Sequence, residues 1–317
     1  MVISKGLQWA EGKRIPMPIV HHQAYAPALP AGHRFPMGKF AALFARLQAE
    51  GLARPDNTFV PAPIPRDALL RVHDAAYVDA VLAMAAPPAI ERRIGLPVDE
   101  GVVRRARLAG GGTLLTARLA LRHGIACNTA GGSHHARAET GAGFCVFNDV
   151  AVAIRALQAE ERIGRALIVD PDVHQGDGTA AIFRGDASVF TLSVHCGENF
   201  PVRKEAGDLD VPLPRGTGNG AYLAALAPAL EVALAAGPFD IAFYNAGVDV
   251  HADDRLGHLS LCDDGIARRD ALVLRRLRAA GLPVAGVIGG GYMDDVEALA
   301  ARHAILHRTA AALTAGT

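Results

Sequence analysis

The chain has 317 residues, half of them hydrophobic, with 32 basic and 32 acidic side chains and a formal net charge of zero. A balance of that kind excludes a protein that works by coating nucleic acid or an acidic membrane, while the apolar half supplies a large core. The four cysteines, at 127, 145, 196 and 262, form no CxxC pair and no metal-finger spacing, which fits a reducing compartment and a cytoplasmic protein.

No run approaches eighteen apolar residues, so no membrane span is expected. The N-terminus lacks the basic, apolar and small-residue order of a secretion signal. MPIVHHQAYAPALP at 17–30 reads as a natural start, with a short strand beginning at Met17. Residues 1–16 are therefore read as an extension, and 17–317 as one domain. His21 and His22 are read as a surface pair without a role. The basic run Arg92, Arg93, Arg104, Arg105 and Arg107 is read as a solvated helix face.

The first helix is GKFAALFARLQAEG, where Phe40, Leu43, Phe44 and Leu47 fall at i, i+3, i+4 and i+7 and Gly51 stops it. A second starts at Asp74 as its cap and runs to about Met84. Residues 101–123 read as a long helix weakened by three glycines at 110–112. Strand IACNTA (125–130), helix 149–160, strands ALIV (166–169) and VFTLSVH (189–195), and helix 220–236 follow, the last interrupted by Pro228. Strand IAFYNAG (241–247), helix 264–280, strand VAGVI (284–288) and helix 294–314 complete the chain. Strands alternating with helices predict parallel pairing through right-handed crossovers. Near-continuous apolar strands predict a sheet covered on both faces. The expected architecture is α/β, an open doubly wound and mostly parallel sheet, whose ligands bind beyond the carboxyl ends of the strands.

Four of those strand ends carry polar loops. IACNTA leads into GGSHHA, ALIV into DPDVHQGDGT, IAFYNAG into VDVHADD, and VAGVI into GGGY. Burying Asp170, Asp172, His174 and Asp177 within eight residues is costly unless something pairs with them. In an extended segment alternate residues share a face, so Asp172 and His174 can grip one cation, and Asp249 can supply a third ligand. Two aspartates and a histidine match a catalytic zinc site with an open position. The absence of thiolates also admits iron(II). His134 and His135 can each serve as general base or acid if a carboxylate fixes the tautomer, and Asp170 and Asp177 are the spare acids, one for each ring. Tyr292, after three glycines, can bring a phenol beside the metal to meet a developing oxyanion. Together these parts describe metal-assisted amide hydrolysis. His195, His251 and His258 are left outside the metal site. On sequence alone Phe144 and Phe200 read as core residues.

GGSHHARAETGAGFCVFND, DPDVHQGDGT, NAGVDVHADDRLG and GGGY resemble the histone deacetylase family, which includes acetylpolyamine amidohydrolases and acetoin-utilisation proteins. The likeness runs from about His22 to the C-terminal helix. PAGHRFPMGKF and HQGDGT are closest in kind to bacterial and class IV members. The resemblance implies the arginase–deacetylase α/β fold and zinc on Asp172, His174 and Asp249. It implies His135 as the general base, supported by Asp177, and His134 as an electrostatic or acid partner, supported by Asp170. Tyr292 would polarise the scissile carbonyl. Phe144 and Phe200 would wall an acyl-lysine tunnel, with Gly143, Leu256 and Gly290 as further substrate contacts. A structural potassium ion would sit on Asp170 and the backbone around Asp172, His174 and Ser193.

Two departures from the family pattern stand out. Pro171 replaces the frequent Leu between the two aspartates, and Ser133 replaces the common aromatic before the histidines. Polyamine-selective members of one branch carry an acidic gatekeeper where this chain has Leu256. The expected substrate is therefore acyl-lysine in a peptide or protein, with an acetylated polyamine or another small amide as the alternative. A two-manganese arginase-like hydrolase is disfavoured by the tandem histidine and tyrosine. A non-catalytic acyl-lysine binder is disfavoured by the complete set of ligands, base and tyrosine. No nucleic-acid or membrane partner is expected, and the oligomeric state, the preferred acyl chain and the natural substrate are left open.

Overall fold

The computed structural model describes residues 15–315. Most of the proposed extension, residues 1–14, lies outside the described residues. Eight strands form one sheet: β1 (Ile19–Val20), β2 (Thr58–Phe59), β3 (Ile125–Asn128), β4 (Ala166–Asp170), β5 (Val189–Cys196), β6 (Leu209–Leu213), β7 (Ile241–Asn245) and β8 (Val284–Val287). Their spatial order is β2-β1-β3-β8-β7-β4-β5-β6, and every pairing is parallel. Every residue of β3, β4, β7 and β8 is buried, as two covered faces require.

Ten α-helices accompany the sheet among the described residues: α1 (Lys39–Ala49), α2 (Arg66–Leu69), α3 (Ala75–Leu82), α4 (Pro88–Ile94), α5 (Glu100–His123), α6 (Asp149–Ala159), α7 (Asp177–Phe183), α8 (Asn219–Ala235), α9 (Asp263–Ala279) and α10 (Val296–Ala315). Helix α1 packs on α10, α5 on α6, and α9 on both α8 and α10. No helix among the described residues is long and apolar enough to cross a membrane.

Several local expectations are corrected. The three glycines do not weaken α5, which runs unbroken. They are places of close approach: a Cβ on Gly111 would strike the Ala62 carbonyl, and one on Gly112 would strike the Tyr25 hydroxyl. Pro228 does not interrupt α8; it stands on the exposed face, where the carbonyl it frees can meet water. Asp74 occupies the cap position of α3, yet its side chain makes no capping bond. Strand β6 was hidden by Pro212, and it lies at the sheet edge, where a missing N–H is tolerated. His21 is no surface accident: its ring stacks on Phe44 and its Nδ1 meets the Thr129 hydroxyl at 2.8 Å, while His22 accepts from Ala24 N. The basic run is not one solvated face either, since Arg105 is buried over Phe40 and donates to the Tyr25 carbonyl.

The strand order has a direct consequence for the site. β3, β8, β7 and β4 are consecutive in the sheet, so the four polar loops stand side by side on one rim. The chain leaves β4 toward β5 and β6 on one side, whereas β7 and β8 lie on the other. Between β4 and β7 the connections diverge, which opens a crevice beyond the strand ends.

Candidate active site

That crevice holds the acidic cluster. Asp172 and His174 follow β4, Asp249 follows β7, and one ligand-capable atom from each lies within 4.8 Å of the others. Both aspartates are fully buried. Nδ1 of His174 stands 3.2 Å from Asp172 Oδ1 and 3.1 Å from Asp249 Oδ2. One nitrogen carries at most one proton, so it cannot satisfy both carboxylates by hydrogen bonding. Burial and the neighbouring Asp172 charge push the Asp249 carboxyl up to about 7. A divalent cation among these three donors would offset that excess of negative charge, so the residues fit the zinc-type site that the sequence suggested.

The cluster is braced from behind. The backbone N–H of Gly290 donates to Asp172 Oδ2 at 2.8 Å, and that of Val173 to Asp249 Oδ1 at 3.1 Å. A Cβ on Gly290 would collide with Asp249, so only glycine lets the strap after β8 approach this closely. Pro171 needs no ladder N–H because β4 has ended at Asp170. Its carbonyl instead accepts from the Tyr222 hydroxyl and the Arg269 guanidinium. Arg269, fully buried beside Asp270, also donates to the Gly247 carbonyl. One cation thereby ties the loop after β4 to the loop after β7.

The tandem histidines follow β3. His134 Nδ1 donates to Asp170 Oδ2 and His135 Nδ1 donates to Asp177 Oδ1, both at 2.7 Å. Their partners are held in turn: Asn245 Nδ2 donates to Asp170 Oδ1, and Arg137 to Asp177 Oδ2. Burial lowers the basicity of His135, with the charge of its neighbour adding to the effect, and brings it to about 4. Burial also opposes a charge on His134, but Asp170 and Asp172 outweigh it and raise the ring to about 9. Two adjacent imidazoles thus sit in opposite electrostatic environments. Asp149 shapes the turn that presents them, accepting from the N–H groups of Ser133 and Gly132 and from the Thr113 hydroxyl.

A cavity of about 360 Å³ opens over these groups. His135, His174 and Tyr292 lie at its base, with Gly143, Phe144, Phe200 and Leu256 around it. The Phe200 ring meets His135 edge-on at 4.8 Å, and the Phe144 ring lies 5.6 Å from Tyr292. Gly290 lines a smaller void behind, with Tyr292, Lys39 and Arg105. Burial holds the Tyr292 phenol well above its ordinary range, so it stays protonated and able to donate. Its backbone is clamped by Asp254, which accepts from Tyr292 N, and by Arg255, which donates to Tyr292 O. Lys39, also buried, donates to the carbonyl of Gly291. Ser193 pairs with Asp170 across β4 and β5, so two of the four residues named for a potassium ion are neighbours. Of the histidines left outside the metal site, His258 lines the cavity mouth, while His195 bonds Ser193 and His251 faces Asp253 and Asp263.

Asn245, Asp149, Arg137, Asp254, Lys39 and Arg269 were not singled out from the sequence. Each acts through a partner distant in the chain, and no local spacing marks it. A polar residue inside an apolar run was the available signal for Asn245, which ends β7.

Comparison with known proteins agrees with this geometry. The chain matches the family model for the histone deacetylase domain over residues 33–308. It is 50% identical to an uncharacterized protein of Picosynechococcus, covering 92% of this chain and 98% of that one. It is 33% identical to histone deacetylase 2 of Arabidopsis thaliana, over 83% and 70% of the two chains. It is 30% identical to a histone deacetylase-like amidohydrolase of Pseudomonas aeruginosa, over 84% and 74%. The crystal structure of the HDA15 HD domain shares the fold with a TM-score of 0.78 at 23% identity, over 94% of this chain and 89% of that one. An all-parallel sheet of this order, with a match along most of the chain, places the protein in the histone deacetylase family and its arginase–deacetylase α/β fold.

Proposed function

We propose that the protein is a zinc-dependent lysine deacylase that hydrolyses the linear amide of an acyl-lysine in a peptide or protein. The observation that carries this reading is one cavity lined by His135, His174 and Tyr292, in which His174 belongs to the Asp172–His174–Asp249 cluster and His135 is one of two carboxylate-supported imidazoles. Zinc bound there would polarise the acyl carbonyl and increase the acidity of water beside it.

His135 is the general base. Asp177 holds the proton on Nδ1, which leaves Nε2 to take one from the attacking water. His134, paired with Asp170, stabilises the charge that develops, and a protonated imidazole of the pair delivers a proton to the leaving amine. The Tyr292 hydroxyl donates to the oxyanion. Phe144 and Phe200 flank the acyl-lysine stem and keep water from it. A structural potassium ion, which the family resemblance implies, would be held by Asp170 and the backbone around Asp172, His174 and Ser193 and would brace the metal loop. We further place the protein in the cytoplasm, with residues 17–317 as one catalytic domain.

The test is a turnover panel on zinc-loaded protein, comparing acetyl-, short-acyl- and long-acyl-lysine peptides with acetylated polyamines. A kcat/KM at least tenfold higher for a peptide supports the reading, and a preference for acetylpolyamines replaces it with the small-amide alternative. Hydrolysis of none of them by fully loaded protein would leave a binding protein.

A further inference from the structure

The mouth of the cavity carries a charge that the chain as a whole does not. Arg34, Arg92, Arg93 and Arg255 line it together with His258, and no carboxylate is among its lining residues. In a chain of zero net charge this is a local concentration of cations. The four arginines differ in their circumstances. Arg255 is spent on Asp294, at 2.6 Å, and on the Tyr292 and Arg34 carbonyls. Arg34, Arg92 and Arg93 are exposed, and among the described residues none is paired with a carboxylate. Glu198 is close enough to act on His258, yet it stands outside the lining.

These three side chains are aimed by the fold. Helix α4 begins with Pro88 in its first turn and ends at Gly95 in the left-handed conformation, which fixes both of its limits. Its last residues are sewn to the cavity wall, since Gly143 N donates to the Arg93 carbonyl and Phe144 N to the Ile94 carbonyl. Arg34 lies over the face of Phe144, 5.0 Å from the ring centre. His33 Nε2 contacts the Gly95 carbonyl at 3.1 Å and ties the Arg34 segment to the same corner. A helix C-terminus favours basic residues through its dipole, which accounts for Arg92 and Arg93 standing in a last turn. It does not account for Arg34, which comes from another segment and faces the same opening.

We infer that this arginine mouth is a specificity site for carboxylates on the leaving-amine side of the scissile amide, and that the substrate is an acyl-lysine flanked by aspartate or glutamate. The inference rests on the lysine deacylase reading above and narrows it. A guanidinium matches a carboxylate in charge and in donor geometry, and unpaired cations around an opening raise the local concentration of anionic peptides. The same field repels acyl-lysine embedded among lysines and arginines, and it repels polyamines.

The experiment uses full-length zinc-loaded protein and three acetyl-lysine peptides of equal length, flanked by Glu, by Gln or by Lys, with fluorescent forms for anisotropy. Free Nε-acetyl-lysine, whose only carboxylate is its own, tests whether a small molecule supplies the anion instead. Expected is about a tenfold advantage in kcat/KM and in affinity for the Glu peptide over the Lys peptide at low ionic strength, shrinking at high salt. In the double variant R92Q/R93Q that advantage falls to about threefold or less. Equal affinity for the three peptides, or preference for the Lys peptide, overturns the inference whatever the turnover shows, and so does an advantage that survives the double substitution. Should no peptide be hydrolysed, the deacylase reading falls, while a salt-sensitive binding preference lost in R92Q/R93Q still supports the anion site. Free Nε-acetyl-lysine outperforming every peptide would overturn the acidic-peptide assignment in favour of a small carboxylate.

Discussion

His135 and Asp177 lie 42 residues apart in the chain, yet Nδ1 of the one donates to Oδ1 of the other at 2.7 Å, while Arg137 occupies the second oxygen of the same carboxylate. The arrangement selects the ring tautomer and leaves Nε2 without the proton, as the proposed general base requires. Asp177→Asn retains the shape of that contact but lets the amide accept or donate. We expect kcat to fall by roughly 10²- to 10⁴-fold, as when the orienting acid of a catalytic dyad is neutralised. Metal content, measured by elemental analysis, should not change. Turnover within threefold of the parent would remove Asp177 from the mechanism.

Tyr292→Phe deletes one hydroxyl from a ring whose backbone is held by Asp254 and Arg255. The fold and the metal site should tolerate it. Loss of an oxyanion donor costs roughly 10²- to 10³-fold in kcat. Steady-state kinetics beside a thermal melt would separate this from a general defect, and an unaltered kcat would refute the role.

Asp172→Ala removes one of the two buried carboxylates that face His174 Nδ1. Metal stoichiometry should drop well below one per chain, and activity should vanish with it. The parent protein should also melt at a lower temperature after chelation, because a cation bound only to the folded state stabilises it by mass action. A variant that retains stoichiometric zinc would contradict the ligand assignment.

His73 offers a test of stability away from the metal. Its Nδ1 contacts the Arg137 carbonyl and its Nε2 accepts from Asn148 N, a neutral ring used at both ends. Burial pushes its pKa down to about 4. The unfolded chain therefore binds the proton more tightly, so the contribution of His73 is present above pH 6.5 and is lost as pH falls toward 4. Between pH 7.5 and 5 the loss is about 2 kcal/mol. Urea unfolding at the two pH values should show His73→Asn to be less stable at neutral pH but less sensitive to acid than the parent. An unchanged pH sensitivity would show that the ring does not titrate in this window.

Sequence periodicity located the longer helices and the buried strands, because a 3.6-residue apolar stripe and an unbroken apolar run are local signals. It missed β2, only two residues long, and β6, which contains Pro212. It also undervalued α5 and α8, since Gly110–Gly112 and Pro228 weaken a helix only where their surroundings do not compensate. Those surroundings, the Ala62 carbonyl against Gly111 and solvent against Pro228, belong to the tertiary structure.

The candidate site divides in the same way. Asp172, His174, the tandem histidines and Tyr292 were legible because their chemistry is carried by spacing within single loops. Which loops meet was decided by the strand order, which sets β3, β8, β7 and β4 next to one another. Arg269 binding two loops, Asp149 shaping the histidine turn and Arg34 joining Arg92 and Arg93 at the mouth are relations between distant segments. A side chain's type is written in the sequence, but its partner is chosen by packing, and burial then sets the charge it carries.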